Sequence, residues 1–495
     1  MATGDTSTSN CSSRTNFNFD ALEKLRCSKI SAEKRITMYK FVGLCGTELV
    51  RRRRYEDIEL VIVGSRGEGI YNSFENDLDI LYIQNTVKCF GDFQRPLEMD
   101  KSSHSVLFQL DLENVPPGYS RLRLISFENI KKWPRNNSEF LTNLKYALIQ
   151  RNGHRYLRND QPLTSTLRND RNGCIRQQSV FYDTTGPART YQCVMPFCSE
   201  MHFSVDCVLA FNCEYPSVID EWYKRERKFS WPNKDLIEKV KGLEVYVVPA
   251  GCKGSTDEEL QWRISLTLQE QALVHSFNDT QIKLYTALKM LMKHELKTVC
   301  DNITSYIAKN CIFWTFENNE ISNFRKDVFD CNLLNILRFL KSCINWKYLR
   351  NYLNPSINML QNKITELEKV KLIQRLDLLI NFDCGHTSLL RCPLVNEMSF
   401  FSTEEINQRI VFIDLVEQLV MSAVCVTAAH PKLEYLIFGN VLTPINFYKI
   451  AQKQLFPLIR KYNPLGLFGR LDAISNEEIL SILLNGIANG YHQIK

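Results

Sequence analysis

The stretch VGSRGEGIYNSFENDLDILYI, residues 63–83, constrains the fold of this chain more than any other part of the sequence. A β-branched run ends at Gly64, and a second such run begins near Asp79 after a connection of small and polar residues. This pattern predicts two strands joined by a turn. Because alternate residues of a strand point to the same face, Asp77 and Asp79 are predicted to project together while Leu78 faces the core.

The paired carboxylates indicate a particular chemistry. Two acids on one face of a strand repel each other, and a hard divalent cation is the simplest compensation, since Mg²⁺ is typically held by one or two carboxylates with water and phosphate oxygens. The small residues at positions 64–69 let backbone N–H groups approach a triphosphate. The stretch lacks the Gly-Lys-Ser/Thr of a Walker loop and the glycine spacing of a Rossmann fingerprint. It predicts metal-dependent nucleotidyl transfer, although a D-x-D pair taken alone is also typical of turns and solvated edges.

A third acid, Asp206, stands alone in the apolar run FSVDCVLAF. A lone charge in such a strand is costly unless it serves a cation. Two-metal phosphoryl transfer needs a further carboxylate for the second metal, at about 4 Å from the first. Asp77, Asp79 and Asp206 are therefore predicted to form a catalytic, metal-binding triad. The alternative for Asp206 is a buried aspartate bonded to backbone amides.

Composition excludes several classes of protein. With 495 residues, 44% of them hydrophobic, the chain is predicted to form roughly two to four globular units. The formal net charge of +6 is too small to indicate a nucleic-acid binder by bulk charge, so a basic patch must be local. No apolar run is long enough for a membrane span, and the start shows no secretion signal. We expect a soluble, cytoplasmic protein with no membrane partner, whose 17 cysteines are free thiols.

Hydrophobic periodicity divides the chain into a mixed first half and a helical second half. Residues 1–16 are predicted to be a disordered tail, and helical spacing from Phe17 to Arg54 predicts one long or broken amphipathic helix. β-Branched runs predict an α+β core with strands at residues 58–65, 79–83, 106–112, 202–211, 243–250 and 262–268. Beyond residue 270, helices are predicted over residues 281–300, 332–353, 357–380 and 404–426, with a last one opened by a capping box at Ser475 and Glu478.

Six motifs occur together in one order: GSRGEG, DLDIL, SVDCVLAF, WRISLTLQE, LYTALKMLMKHEL and TSYIAKNCIFWTFE. In this order and at these separations they resemble the cyclic GMP-AMP synthase-like receptors and their male-abnormal relatives, over residues 20–365. The resemblance implies an α+β, bilobal nucleotidyltransferase fold with a long N-terminal spine helix, a mixed β-sheet catalytic core and a helical C-lobe. The implied domains are the spine helix and nucleotidyltransferase core at 17–270, the C-lobe at 271–363 and, outside the resemblance, a helical C-terminal extension at 364–495.

The same resemblance implies an activity. Enzymes of this family sense double-stranded nucleic acid and join ATP and GTP into a cyclic dinucleotide. We therefore expect a nucleic-acid-activated nucleotidyltransferase that uses Mg²⁺ or Mn²⁺ and makes a cyclic dinucleotide second messenger from ATP and GTP, or other nucleoside triphosphates. Its setting would be innate antiviral immunity, with a downstream cyclic-dinucleotide receptor. Two alternatives remain open: a catalytically silent developmental scaffold or binding protein of the same fold, and a template-independent polymerase that makes linear products.

Carried over by motif, the resemblance implies further site residues. The nucleotide-binding residues would be Gly64, Ser65, Arg263, Ser265, Thr267, Glu270, Lys289, Ser305 and Tyr306. Their chemistry is suitable, because Tyr306 offers a ring face on which a base stacks and Lys289 supplies a point charge for phosphate. The alternatives are surface ion pairs for Arg263 and Glu270, a solvated Lys289 and a core position for Tyr306.

One interval departs from the DNA-sensing members of the family. Those members carry a zinc-binding insertion where this chain has QALVHSFNDTQIKLYTA, with His275 and no cysteine. No zinc is therefore predicted, which favours double-stranded RNA over DNA as the trigger. Basic residues of the spine-like helix and of a later helix are predicted to bind nucleic acid: Lys34, Arg35, Lys40, Arg51, Arg52, Arg53, Arg54, Lys293 and Lys297. The alternative is an ordinary solvated helix face.

Overall fold

A computed structural model describes part of the chain and divides it into two compact units. The described residues are 17–52, 57–70, 77–91, 106–127, 135–160, 180–182, 188–195, 198–381, 388–398, 402 and 404. The predicted tail, most of the predicted extension and the capping box at Ser475 lie outside them. The described residues of 30–224 and 234–276 form one unit, called here the sheet unit. The described residues of 1–29, 225–233 and 277–406 form the other, called here the helical unit.

The described residues form helices and strands in a mixed order. The helices are α1 (Phe17–Lys24), α2 (Lys29–Arg52), α3 (Gly64–Gly67), α4 (Arg135–Tyr146), α5 (Asp220–Lys224), α6 (Lys234–Lys241), α7 (Thr267–His275), α8 (Asp279–Leu291), α9 (Ser305–Glu317), α10 (Phe329–Trp346), α11 (Glu366–Asn381) and α12 (Pro393–Met398). The strands are β1 (Ile58–Val63), β2 (Asp77–Phe90), β3 (Val106–Asp111), β4 (Tyr119–Phe127), β5 (Leu148–Arg151), β6 (His154–Leu157), β7 (Val180–Tyr182), β8 (Ala188–Met195), β9 (Cys198–Glu214), β10 (Val245–Val248) and β11 (Gln261–Ser265). These elements confirm the predicted α+β class. None of the described helices has the length and hydropathy that crossing a membrane requires.

The strands pair into one mixed sheet in the order β1-β2-β3-β4-β11-β10-β9-β8-β7, with β6 paired to β4 and β5 paired to β6. Strand β2 pairs in parallel with both β3 and β9, whereas β1 pairs antiparallel with β2. The pairing of β2 with β9 closes the path from β2 through β3, β4, β11 and β10 back onto itself. The long strand β9 therefore lies between β2 and β8 in its first half and between β2 and β10 in its second half.

The predicted spine helix takes the broken form. It ends first at Lys24, Arg26 adopts a left-handed φ of 58°, and α2 then runs from Lys29 to Arg52. The buried face of α2 packs Tyr39 and its neighbours against Ile62 and against the partly buried side chains of Leu78 and Ile80. Leu78 therefore faces the spine helix, as the alternation along β2 predicts.

Several elements differ from the sequence-based predictions. Strands β4 to β8 are not predicted, although the Asn152-Gly153 dipeptide between β5 and β6, with φ of 50° and 79°, is a strong hairpin signal. The strand predicted over 262–268 ends at Ser265 because α7 begins at Thr267. The helix predicted over 281–300 is shorter at its C-terminal end, because α8 ends at Leu291 and is followed by a π-helical turn, Met292–Leu296, and then by irregular chain.

The helical unit is built around a cluster of aromatic rings and a buried charge. Trp231 stacks on Phe313 and on Tyr352 at centroid distances of 6.2 and 6.1 Å. Beside this cluster Glu317, 5% exposed, accepts hydrogen bonds from two guanidinium groups and from the hydroxyl of Tyr352, the last at 2.6 Å. The guanidinium groups belong to Arg225 and Arg227. Because an ionised carboxylate is costly to bury alone, these partners are what keep Glu317 in the core.

Candidate active site

The predicted acids are brought together by strand register. Asp79 on β2 and Asp206 on β9 are direct partners in the parallel pairing, and Asp77 lies two residues before Asp79 on β2. Register partners share a face of a sheet, as do alternate residues of a strand, so the three carboxylates stand on one face. The apolar residues that follow on this face, among them Leu81 and Ala210, belong to a buried cluster. The spine helix packs on the opposite face.

Gly64 follows β1 directly and lies against the side chain of Asp79. Val63 is the register partner of Asp79, and the chain then turns at Gly64 with a left-handed φ of 62°. A Cβ atom at Gly64 would lie 1.9 Å from Oδ2 of Asp79. The carboxylate of Asp79 therefore occupies the space that a side chain at position 64 would need. Glycine is required here both by the backbone conformation and by this close approach.

The short helix α3, which carries Ser65, and the turn that follows it are held from two sides. From α7, the Nε2 atom of His275 forms a 2.9 Å hydrogen bond with the carbonyl oxygen of Gly67. From α2, the backbone of Ala32 lies so close to Gly69, with its φ of 72°, that a Cβ atom there would be 2.5 Å from the Ala32 carbonyl oxygen. The predicted phosphate-binding turn is therefore packed between the spine helix and α7.

The carboxylates have different surroundings. Asp206 is partly exposed, and its Oδ1 atom accepts a 2.6 Å hydrogen bond from the Thr190 hydroxyl on β8. Thr190, Asp206 and Asp79 form a continuous row across β8, β9 and β2. Asp77, at the start of β2, is exposed to solvent. Asp206 is therefore not the fully buried aspartate of the alternative interpretation, and it has a side-chain partner on β8.

The donor set fits a hard divalent cation. Aspartate oxygens are the ligands that Mg²⁺ and Mn²⁺ prefer, and the absence of a side chain at Gly64 leaves the Asp79 carboxylate room at the end of β1. Within the part of the chain that the structure describes, however, no three His, Cys, Asp or Glu side chains are gathered as a metal-holding group. The backbone thus brings the acids to one face, and their side chains are not drawn together around one point.

The residues predicted from WRISLTLQE lie in the same unit at the end of β11 and the start of α7. Arg263 is exposed and pairs through the backbone with Tyr119, whose pKa is raised by burial and lowered to a smaller extent by the Arg263 guanidinium. Ser265 is buried, and its hydroxyl lies 2.8 Å from that of Thr267. Glu270 is buried in the first turn of α7, with 7% exposure, which does not fit a surface ion pair.

Three predicted residues belong to the helical unit. Lys289 is partly exposed on α8, with its Nζ atom 5.9 Å from the centroid of the Tyr285 ring. Ser305 is exposed at the first position of α9. The Tyr306 ring is 37% exposed, and its hydroxyl accepts a 3.0 Å hydrogen bond from Asn351. The exposed fraction of Tyr306 is inconsistent with a fully buried core position.

The basic residues predicted to bind nucleic acid do not form one exposed stripe. Lys34, Lys40 and Arg51 are exposed on α2, but Arg35 is 7% exposed and lies on the buried face. The exposed face of α2 also carries the acids Glu33 and Glu48 and the apolar residues Ile30 and Leu44. Arg53, Arg54 and the side chain of Arg52 lie outside the described residues, whereas Lys293 and Lys297 are exposed at the π-helical turn. The described face of α2 is therefore mixed in charge.

Some residues around the site carry no prediction from the sequence. Thr190 lies on β8, whose run ARTYQCVM mixes polar and apolar residues without clear alternation. Arg66 lies in GSRGEG and His275 in QALVHSFNDTQIKLYTA, but a side chain that reaches the backbone of another element leaves no spacing signal. For Arg66, an arginine directly after Gly-Ser in a run of small residues is the one available hint.

Profiles of known families match two adjacent parts of the chain. The Mab-21 protein nucleotidyltransferase domain matches residues 117–276, from before β4 to the end of α7, and so includes Asp206. The Mab-21 protein HhH/H2TH-like domain matches residues 280–377, from α8 into α11. Gly64, Asp77 and Asp79 lie before the matched residues. A search of the curated proteins found no match to the chain. With both domains matched in order over more than half of its length, the chain belongs to the Mab-21 family, the male-abnormal and cyclic GMP-AMP synthase-like nucleotidyltransferase-domain proteins.

Proposed function

We propose that this protein is a metal-dependent nucleotidyltransferase in which Asp77, Asp79 and Asp206 are the metal-binding carboxylates. One observation carries the proposal: Asp79 and Asp206 are register partners on adjacent parallel strands, on the face away from the spine helix. Two carboxylates side by side on a sheet repel each other. A bound divalent cation offsets this repulsion, which explains why both acids are present. Membership of a nucleotidyltransferase-domain family supports the same conclusion.

The chain's own residues have separate tasks in this reaction. Nucleotidyltransferases typically use divalent metals, and bound Mg²⁺ or Mn²⁺ would neutralise phosphate charge and lower the pKa of the acceptor hydroxyl. The three aspartates would hold the cations, and Gly64 and Ser65 would bind the donor triphosphate through backbone N–H groups and the hydroxyl. Arg263, which is exposed, would contact phosphate, and the buried Glu270 would accept a hydrogen bond from a base. Catalysis then consists mostly of positioning and charge neutralisation.

We further propose that the product is a cyclic dinucleotide made from ATP and GTP. What supports this finer step is the motif resemblance together with the exposed ring of Tyr306 and the exposed Ser305 on α9, which suit base stacking and phosphate binding. Double-stranded RNA is the proposed trigger, on the ground that the interval carrying His275 has no cysteine. Lys293 and Lys297 are exposed and available for phosphate contacts.

The test is a product assay with purified protein. Labelled ATP, GTP, CTP and UTP are incubated with Mg²⁺ or Mn²⁺, without ligand and with double-stranded RNA or DNA, and products are resolved by phosphatase resistance and mass. Asp77→Asn and Asp206→Asn should abolish transfer. Asp220→Asn is the matched control, because Asp220 is an aspartate of the same unit whose side chain pairs with Lys224, at 2.8 Å, and it should retain wild-type activity.

A second candidate function is a catalytically silent scaffold. The observation in its favour is that the described acids are not gathered around one point and that Thr190 already satisfies one oxygen of Asp206. No product under any condition, combined with no Mn²⁺-dependent or nucleotide-dependent rise in the melting temperature, would support it and refute transfer. Phosphatase-sensitive linear products would instead support transfer and refute cyclisation.

A further inference from the structure

Arg66 is a buried charged side chain on α3, directly after Ser65. It is 5% exposed. Its Nε atom donates a 2.7 Å hydrogen bond to the backbone carbonyl oxygen of Asp77, and a terminal nitrogen donates to the hydroxyl of Tyr39. The guanidinium also lies over the Tyr39 ring, 5.6 Å from its centroid. Because a guanidinium taken out of water must have its desolvation offset, these contacts hold Arg66 in a defined place.

The two hydrogen-bond acceptors of Arg66, the Tyr39 hydroxyl and the Asp77 carbonyl, belong to different elements of the sheet unit. Tyr39 is 0% exposed on α2 and packs with Met38 and Val42 against Ile62 of β1. The Tyr39 hydroxyl therefore moves with the spine helix. Asp77 is the first residue of β2, and its carbonyl is therefore a point at the beginning of the strand that carries the acids.

Among the described residues, the start of β2 has fewer strand partners than the rest of that strand. The register between β1 and β2 extends from Ile58 paired with Gln84 to Val63 paired with Asp79. Asp77 is paired with Ser204 of β9 on one side. On the side of β1, Arg66 supplies a hydrogen bond to the Asp77 carbonyl, where the antiparallel register has already ended. Arg66 thus extends the support of β2 beyond its pairing with β1.

We infer that Arg66 is a positioning residue that fixes Asp77 relative to the spine helix through its bonds to the Asp77 carbonyl and the Tyr39 hydroxyl. The role of the Asp77 carboxylate in this inference rests on the proposed function. A displacement of about 1 Å in a reacting group costs about a hundredfold in rate, so loss of this link lowers catalysis without removing any group that touches the substrate. The expected effect falls on kcat rather than on the KM for nucleotide.

The test uses Tyr39→Phe, which keeps the ring and removes the hydroxyl. Amide hydrogen exchange is measured on the metal-free, nucleotide-free protein for the peptide that begins at Asp77. We expect exchange at the first residues of β2 to rise at least tenfold. In the transfer assay we expect kcat to fall at least tenfold, with the KM for nucleotide within twofold of the wild type.

The chain offers a closely matched control in Tyr156→Phe. The Tyr156 hydroxyl donates a 3.0 Å hydrogen bond to Asp111, and the Arg121 guanidinium lies 5.7 Å from the centroid of its ring. Tyr156 is 7% exposed and lies on β6 in the same unit. This variant removes a comparable hydroxyl beside a comparable arginine, and it should leave both exchange at Asp77 and kcat unchanged. Equal effects of the Tyr39 and Tyr156 variants, or no effect of Tyr39→Phe, would overturn the inference.

A second variant guards against a general loss of stability. Arg66→Lys keeps the charge, but a single ammonium group does not reproduce the planar fork that reaches both partners. If Tyr39 and Arg66 position Asp77 through the same hydrogen bonds, combining Tyr39→Phe with Arg66→Lys should make exchange at Asp77 no faster than in the more affected single variant. Additive effects would refute the link. If the wild type makes no product, the proposed function fails, and the exchange measurements alone decide whether Arg66 positions Asp77.

Discussion

Replacement of Gly64 by alanine tests the geometry at the centre of the candidate site. The new Cβ would lie 1.9 Å from Oδ2 of Asp79, and the residue would have to hold a φ of 62°. The left-handed conformation costs an alanine about 1–2 kcal/mol. Overpacking adds about 1–3 kcal/mol if the backbone moves. We expect Gly64→Ala to lower the unfolding free energy by roughly 2–5 kcal/mol. The loss of stability should be smaller if the Asp79 carboxylate turns away from the new Cβ atom.

The matched control is Gly153→Ala. Gly153 has a φ of 79°, and a Cβ atom there would meet nothing within 4 Å. This variant should lose only the conformational cost of about 1–2 kcal/mol and keep wild-type transfer. The difference between the two variants therefore isolates the steric contact with Asp79.

Urea unfolding and the nucleotide-transfer assay together measure both consequences. Urea midpoints give the difference in unfolding free energy when the slopes agree. If the Asp79 carboxylate turns away instead, transfer by Gly64→Ala should fall about a hundredfold, which corresponds to a displacement of about 1 Å. Equal stability and equal activity of the Gly64 and Gly153 variants would refute the assigned contact between Gly64 and Asp79.

Three further changes have expected outcomes that follow from single contacts. Glu317→Gln should lower the unfolding free energy by roughly 3–5 kcal/mol in urea titrations, because it leaves two arginines beside an uncharged buried group. Thr190→Val keeps the side-chain shape and removes the hydrogen bond to Asp206, so transfer should slow about tenfold with little change in urea midpoint. Burial raises the pKa of the Cys343 thiol to about 11, whereas Cys331 is exposed, so iodoacetamide at neutral pH should label Cys331 before Cys343.

Each of these outcomes has a clear contrary result. A urea midpoint for Glu317→Gln equal to that of the wild type would show that the arginines find other partners at no cost. Unchanged transfer by Thr190→Val would mean that Asp206 is oriented without β8. Labelling of Cys343 at the rate of Cys331 in the native protein, read by peptide mass, would contradict the burial of Cys343.

Part of the candidate site follows from the sequence because it depends on local periodicity. Alternation along β2 is sufficient to predict that Asp77 and Asp79 share a face and that Leu78 points the other way, and the structure has this arrangement. The glycine after the β-branched run likewise predicts a turn, and Gly64 turns with a left-handed φ. The change of periodicity near residue 270 predicts the change from sheet to helix, although α7 begins three residues earlier.

The rest depends on contacts between residues far apart in the chain. Asp206 is next to Asp79 only because β9 pairs with β2 in one particular register, and a shift by one residue would turn Asp206 to the opposite face. The burial of Arg35, predicted to contact nucleic acid, depends on which side of α2 meets the sheet. Which residues share a face within one strand can be read from the sequence, because the two-residue repeat is local. Which strands lie side by side, and in what register, depends on the packing of the whole sheet.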